Sequence, residues 1–122
     1  MRCQLALLAT ACVMASPALA QSQNAMNAAE AGKARAADAA LNAQYAATMR
    51  RLSAPSQALL RAAQRSWLTF RDQECRFETS GVQGGSAYPM VNAMCMAKLT
   101  TERTRQLRYH ATCQEGDMSC PR

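Results

Sequence analysis

Prolines and glycines interrupt the interior of this chain at only two places, and the segments between them have the length of helices. From Ala25 to Arg51 there is no Pro, and the one Gly (Gly32) comes early. The stretch "SAPSQ" (53–57) makes the first break. There Ser53 suits an N-cap, and Pro55 suits the first turn of a new helix, where its missing N–H costs nothing. The stretch "TSGVQGGSAYP" (79–89) makes the second break, with three of the chain's five Gly and a Pro at its end. Helices are therefore expected over Ala25–Arg51, Ala54–Glu78 and Pro89–Ala111. No alternation of period two persists for five residues, so no sheet is expected. The fold class that follows is all-α: three helices, up-down-up, around one core.

The faces of these helices can be read from their spacing. In the Ala-rich first segment, Ala34, Ala37, Leu41, Tyr45, Thr48, Met49 and Leu52 recur at three- and four-residue steps and form one packing face. Before Ala34 the pattern thins, and residues 21–27 are expected to fray. In the second segment, "AQRSWLTFRDQEC" (63–75) holds the only Trp of the chain. At about 100° per residue, Leu60, Ala63, Phe70 and Phe77 fall within roughly 80° of Trp67. A Trp in such a stripe is more often a packing anchor than a ligand platform. Glu74 lies in the middle of that face. On the third segment Arg103 is central among Cys95, Met96, Leu99, Gln106, Leu107 and His110. A lone buried charge costs several kcal/mol, so each needs a partner. The expected structural ion pair is Glu74–Arg103, with Asp38 as the competing partner of Arg103.

The N-terminus reads as an export signal. "MRCQLALLATACVMASPALA" has an early Arg, an apolar run from Leu5 to Ala15 and a closing Ala18-Leu19-Ala20 of the small-x-small kind. The run is too short for a transmembrane segment. Residues 1–20 are expected to be a cleaved signal peptide and 21–122 a single domain, periplasmic or secreted. Cys12 offers a competing lipidation site. After cleavage Cys75, Cys95, Cys113 and Cys120 remain, which in an exported chain suggests two disulfides with three possible connectivities. A zinc site is the rival, but there is no Cys-x-x-Cys and only one His. No metal and no cofactor are expected.

The charge is basic, with a formal net value of +6. An exported basic chain suits anionic envelope components. Nucleic acid is not expected, because neither the compartment nor the aromatic pattern fits. Catalysis is not expected either. There is no second carboxylate firmly on the face of Glu74, and no Ser/His/Asp or Cys/His arrangement carries a supporting motif.

Four segments in order, "ADAALNAQYAATMRRL", "AQRSWLTFRDQEC", "GGSAYPMVNAMC" and "LTTERTRQL", resemble the LprI-like lysozyme inhibitor family across residues 37–107. The resemblance implies an exported, helical, disulfide-bonded protein whose partner is lysozyme. Many members carry an extra cysteine pair ahead of the Ala-Asp-x-x-Leu-Asn motif (here from Ala37). This chain instead has Cys113 and Cys120 after the third helix. Cys75 near one helix end and Cys95 in the second turn of the next are expected to pair and close the glycine loop. Cys113–Cys120 would then tie down the tail. A firm loop offering hydrogen-bond donors suits a lysozyme cleft, and Gly84, Gly85, Ser86 and Tyr88 are the expected binding residues. The alternative is a non-inhibitory envelope module that binds an anionic wall or outer-surface component through Lys98, Arg105 and Arg108.

Overall fold

The computed structural model describes residues 17–114 and 116–122, with side chains from residue 21 onward. It contains α1 (Pro17–Met49), α2 (Ala54–Glu78), a single 3₁₀ turn (Ser80–Val82) and α3 (Tyr88–Ala111). Among the described residues there is no strand. Both breaks lie where the prolines and glycines put them. Pro55 and Pro89 each sit in the first turn of their helix. The leader expected over residues 1–20 falls largely outside the described residues. None of the described helices is long and apolar enough to cross a membrane.

The order of contacts gives the topology. Asn27 touches Ser86, and Thr48 hydrogen-bonds Leu107, so α1 and α3 run parallel, side by side. Gln64 meets Arg103, and Cys75 meets Cys95, so α2 returns antiparallel along α3. This is the up-down-up arrangement. The main seam joins α1 to α3, while α2 packs on α3 far more lightly.

Small side chains make that seam. Leu41, Thr48 and Leu52 are buried after α1 has presented Ala34 and Ala37; opposite them α3 buries Ala93, Thr100, Thr104, Leu107 and Ala111. Alanine and threonine let two helices approach toward the lower end of the usual 8–10 Å separation. The threonine hydroxyls do not remain unsatisfied there. Thr104 donates to the carbonyl of Thr100 at 2.9 Å, and Thr48 reaches the carbonyl of Leu107 at 3.0 Å. The core is consequently thin, and among the described residues the only fully buried large aliphatic side chain is Leu107.

Three expectations need correction. Residues 21–27 do not fray: the helix runs unbroken from Pro17, because Gln23 and Asn27 are half-buried against the start of α3. The apolar stripe of α2 does not face the core, since Phe70 is 52% and Phe77 74% exposed. The buried side chains of α2 are Gln64, Arg71 and Cys75, on the neighbouring face. Two helices already fill the seam with small residues, so α2 docks through its polar edge and its disulfide. Lastly, Ser53 occupies the N-cap position, but its hydroxyl makes no capping bond. It donates instead to the main-chain oxygen of Arg122 at 2.6 Å, fastening the tail. Gln57 closes the preceding helix end by donating to the carbonyls of Met49 and Leu52.

The two disulfides are Cys75–Cys95 and Cys113–Cys120, with both Cα–Cα distances 5.6 Å. The first closes 20 residues of sequence separation and the second 7. In the chain-entropy picture the longer closure contributes about 3 kcal/mol. A Cys75→Ala/Cys95→Ala variant is expected to lose about that much in urea melts. The Cys113→Ala/Cys120→Ala variant should lose less, because it frees a shorter length of chain. The opposite order would show that the tail bridge, not the loop bridge, holds the helices together.

Candidate functional site

The segment between α2 and α3 is a built loop. At its start Thr79 is buried and donates both its N–H and its hydroxyl to the carbonyl of Cys75, at 3.1 and 2.6 Å. This ends α2 beside the Cys75–Cys95 bridge. A chain of tight turns follows. Val82 N–H donates to the carbonyl of Thr79, Gln83 to Ser80, Gly85 to Val82 and Tyr88 to Gly85. On the far side, the Asn27 amide donates to the Ser86 carbonyl at 3.0 Å, and Gln23 supports Asn27 at 2.9 Å. The loop is thus held at one end by a covalent bond and at the other by α1.

Within this frame the two central glycines have different reasons to be there. Gly84 has φ +82°, in the left-handed region that side chains disfavour. Gly85 has an ordinary φ, but a Cβ on it would lie 3.2 Å from the Val82 carbonyl oxygen. Both needs are internal to the turn. The tip, residues 82–86, is exposed throughout. The Gly85 N–H is occupied by the turn, whereas among the described residues the Gly84 N–H makes no bond. The Ser86 side chain is exposed. Tyr88 stands apart from the other three: it is half-buried as the first residue of α3.

A second cluster lies in the middle of the bundle, and the spacing of the sequence did not assemble it correctly. Glu74 and Arg103 do not pair. The Arg103 guanidinium donates to Gln64 at 3.0 Å and to Gln106 at 3.1 Å, and burial holds its pKa below the ordinary value. Asp38, the competing partner, belongs to Arg71. The Arg71 guanidinium, in a residue only 8% exposed, donates to Asp38 on α1 at 2.8 Å and to Thr100 on α3 at 3.1 Å. It also reaches Asp72 from Nε and Nη2, both at 3.1 Å. A helical wheel measures angle but not depth. It put Arg71 on the flank of the Trp67 stripe, and α3 turned out to lie against that flank. Trp67 stands between the two guanidinium groups, 5.4 Å from Arg71 and 5.9 Å from Arg103. It is a platform for two cations as well as a packing residue.

This cluster is structural. The Asp38 and Asp72 side chains are about half exposed, at 48% and 57%, and each is engaged by Arg71. At the tail, the sulfurs of Cys113 and Cys120 and an oxygen of Asp117 lie within 4.8 Å of one another. Both sulfurs are committed to their disulfide, so they are not metal ligands in this state. Ser119 holds the Asp117 carboxyl below its usual range by donating from its hydroxyl and N–H. The basic residues named for an envelope surface, Lys98, Arg105 and Arg108, are all exposed on α3. Arg105 is paired with Glu102 at 2.7 Å, which interrupts the stripe.

A family model described as lysozyme inhibitor LprI matches residues 14–107. A relative in Rhizobium meliloti (strain 1021), an uncharacterized protein, is 34% identical over 87 residues. That match covers 61% of this chain and 63% of the relative's length, so the chain spans just under two thirds of it. No solved structure matches the chain.

The two clusters make opposite demands on mutation. Arg71→Ala is expected to lower stability by about 2–3 kcal/mol, through lost charged hydrogen bonds and lost packing of its stem. The figure is kept modest because half-exposed Asp38 and Asp72 can be resolvated. Glu74→Gln should be nearly neutral, within about 0.5 kcal/mol. Urea melts that reversed this order would return Glu74 to the centre of the network.

Proposed function

Because the chain belongs to the LprI lysozyme inhibitor family, we propose that it binds lysozyme and blocks cell-wall hydrolysis through the loop between α2 and α3. The observation that carries this reading is the exposed tip 82–86, held between the Cys75–Cys95 bridge and Asn27. A loop already rigid loses little entropy on docking, which favours tight association. Lysozymes cleave their polymer with a pair of carboxyl groups. A blocking segment therefore needs donors in a narrow projection. The Ser86 hydroxyl and the Gly84 N–H meet that need, and the absence of side chains at 84 and 85 keeps the projection narrow. Tyr88, half-buried beneath the tip, acts as a support rather than as a projecting anchor. On this reading the protein is a binding protein, not an enzyme, and works outside the cytoplasm, where both disulfides persist.

Electrostatics decide where the contact can lie. The chain is basic overall, at +6, and animal-type lysozymes are basic as well. On the loop-proximal half of α2, Asp72, Glu74 and Glu78 are interspersed with Arg71 and Arg76, and with Asp72 engaged by Arg71 the attraction beside the loop rests on Glu74 and Glu78. The rival surface at Lys98, Arg105 and Arg108 is repulsive to such a partner and suits an anionic polymer instead. Its pairing with Glu102 weakens that use.

A turbidity assay of cell-wall lysis against several lysozyme types tests the proposal. Ser86→Arg places a like charge at the tip without straining the backbone. It should weaken inhibition by at least about tenfold while the melting temperature holds. Gly84→Val should also weaken it, with about 1–2 kcal/mol of stability lost because φ is positive there. Replacing Lys98, Arg105 and Arg108 with Gln should leave inhibition intact or improve it. If the tip variants inhibit normally and the triple-Gln protein does not, the loop is not the contact.

A further inference from the structure

The pole opposite the loop holds a cavity of about 380 Å³ between the end of α1, the start of α2, the end of α3 and the tail. Its lining is largely apolar, with Leu52 buried, Leu60 half-buried, and Leu59 and Ala63 exposed. Two nitrogen-bearing side chains, Arg103 and His110, enter it from α3. Seven residues apart, they share a face of the helix and stand about 10 Å apart along it. Among the described residues no side-chain carboxylate lines this cavity or the adjoining groove, which adds Arg51 and Arg122.

Both of those nitrogen groups are incompletely satisfied. Arg103 is half-buried, and its donors go to two neutral amides, Gln64 and Gln106. None of the ion pairs among the described residues includes it. The Nδ1 of His110 is buried without a hydrogen-bond partner. A half-buried guanidinium facing an apolar wall, with no acid of its own, is complementary to an anion that brings an apolar body with it.

The outer wall comes from the tail. Ser119 and Pro121 close the cavity from the tail. The tail is held there by Cys113–Cys120 and by the Ser53 bond to Arg122. The family match ends at residue 107, before His110 and before the tail. The second disulfide thus braces a wall that the family core does not include.

We infer that this cavity is a binding site for a small amphipathic carboxylate, its anionic head on Arg103 and its aliphatic body against Leu52, Leu59, Leu60 and Ala63. At about 380 Å³ the space lies at the small end of ligand sites, which suits a short-chain acid rather than a full lipid. One guanidinium with a planar fork matches one carboxylate in shape and charge. The site is independent of the loop and of lysozyme.

Octanoate is the probe, with octanol as the tail without the charge and acetate as the charge without the tail. Each is titrated calorimetrically into the chain with both disulfides formed. Trp67 fluorescence serves as a local reporter, since the only Trp lies 5.9 Å from the Arg103 guanidinium carbon. Octanoate should bind saturably and shift the Trp67 emission, with octanol and acetate each at least about tenfold weaker. Arg103→Gln should weaken octanoate by about tenfold or more. Because that change could also loosen the fold, Ser56→Phe fills the cavity while leaving Arg103 in place, and should abolish binding with the helical signal unchanged. Equal affinity for octanol would overturn the charge recognition, and equal affinity for acetate would mean an adventitious anion only. Undiminished binding to Ser56→Phe, or no saturable binding of octanoate at all, would remove the site.

Discussion

The guanidinium of Arg71 ties all three helices together. It reaches Asp38 on α1 and Thr100 on α3 from its place on α2. A buried cation tolerates few arrangements, because any displacement that leaves it unpaired costs more than the contact contributes. That asymmetry fixes the height of α2 against the other two helices. The apolar face of α2 cannot do so, since Phe70 and Phe77 point to solvent. The docking of α2 therefore rests on Arg71, on Gln64 with Arg103, and on the Cys75–Cys95 bridge.

The thin core explains why covalent bonds matter here. α1 and α3 lie close because Ala and Thr line their seam, and close helices leave little room for large side chains. Burying few large aliphatic groups yields little hydrophobic stabilisation. The threonines add hydrogen bonds to carbonyls of the seam, which satisfy their own hydroxyls and contribute modestly beyond that. A small domain with so slight a core is the kind that disulfides commonly reinforce. The bridges also divide the molecule by purpose. One ends at the glycine loop, and the other braces the tail beside an apolar cavity.

These two poles are built on opposite principles. At the loop, backbone turns and glycine conformations present an exposed tip with few side chains. At the tail pole, side chains from three helices line an apolar space with a guanidinium that pairs with no acid among the described residues. The length of α2, about 37 Å for 25 residues, separates them.

The breaks between helices and the disulfide pairing were legible in the residues, since both are local matters, whereas the start of α1 was not, because its first turns are held by contacts with the start of α3. Pro55, Pro89 and the glycines of 79–89 end and begin helices by backbone geometry alone, and Cys75 and Cys95 flank one short connection. The α1 face was legible too: Leu41, Thr48 and Leu52 recur at helical spacing and are buried. The partner of each charge was not legible. A helical period assigns Glu74, Arg71 and Trp67 to angles around α2, but not which of those angles another helix covers. That choice was made by the close α1–α3 seam, which left α2 to dock along the Gln64–Arg71–Cys75 edge. So Arg71 took Asp38, Arg103 was left with amides, and Phe70 and Phe77 faced water while Trp67 packed beside the two guanidinium groups. The glycine loop follows the same division. Residues 79–87 turn because of their glycines, a local effect, whereas the anchoring of that turn needs α1 packed beside it to bring Asn27 to the Ser86 carbonyl.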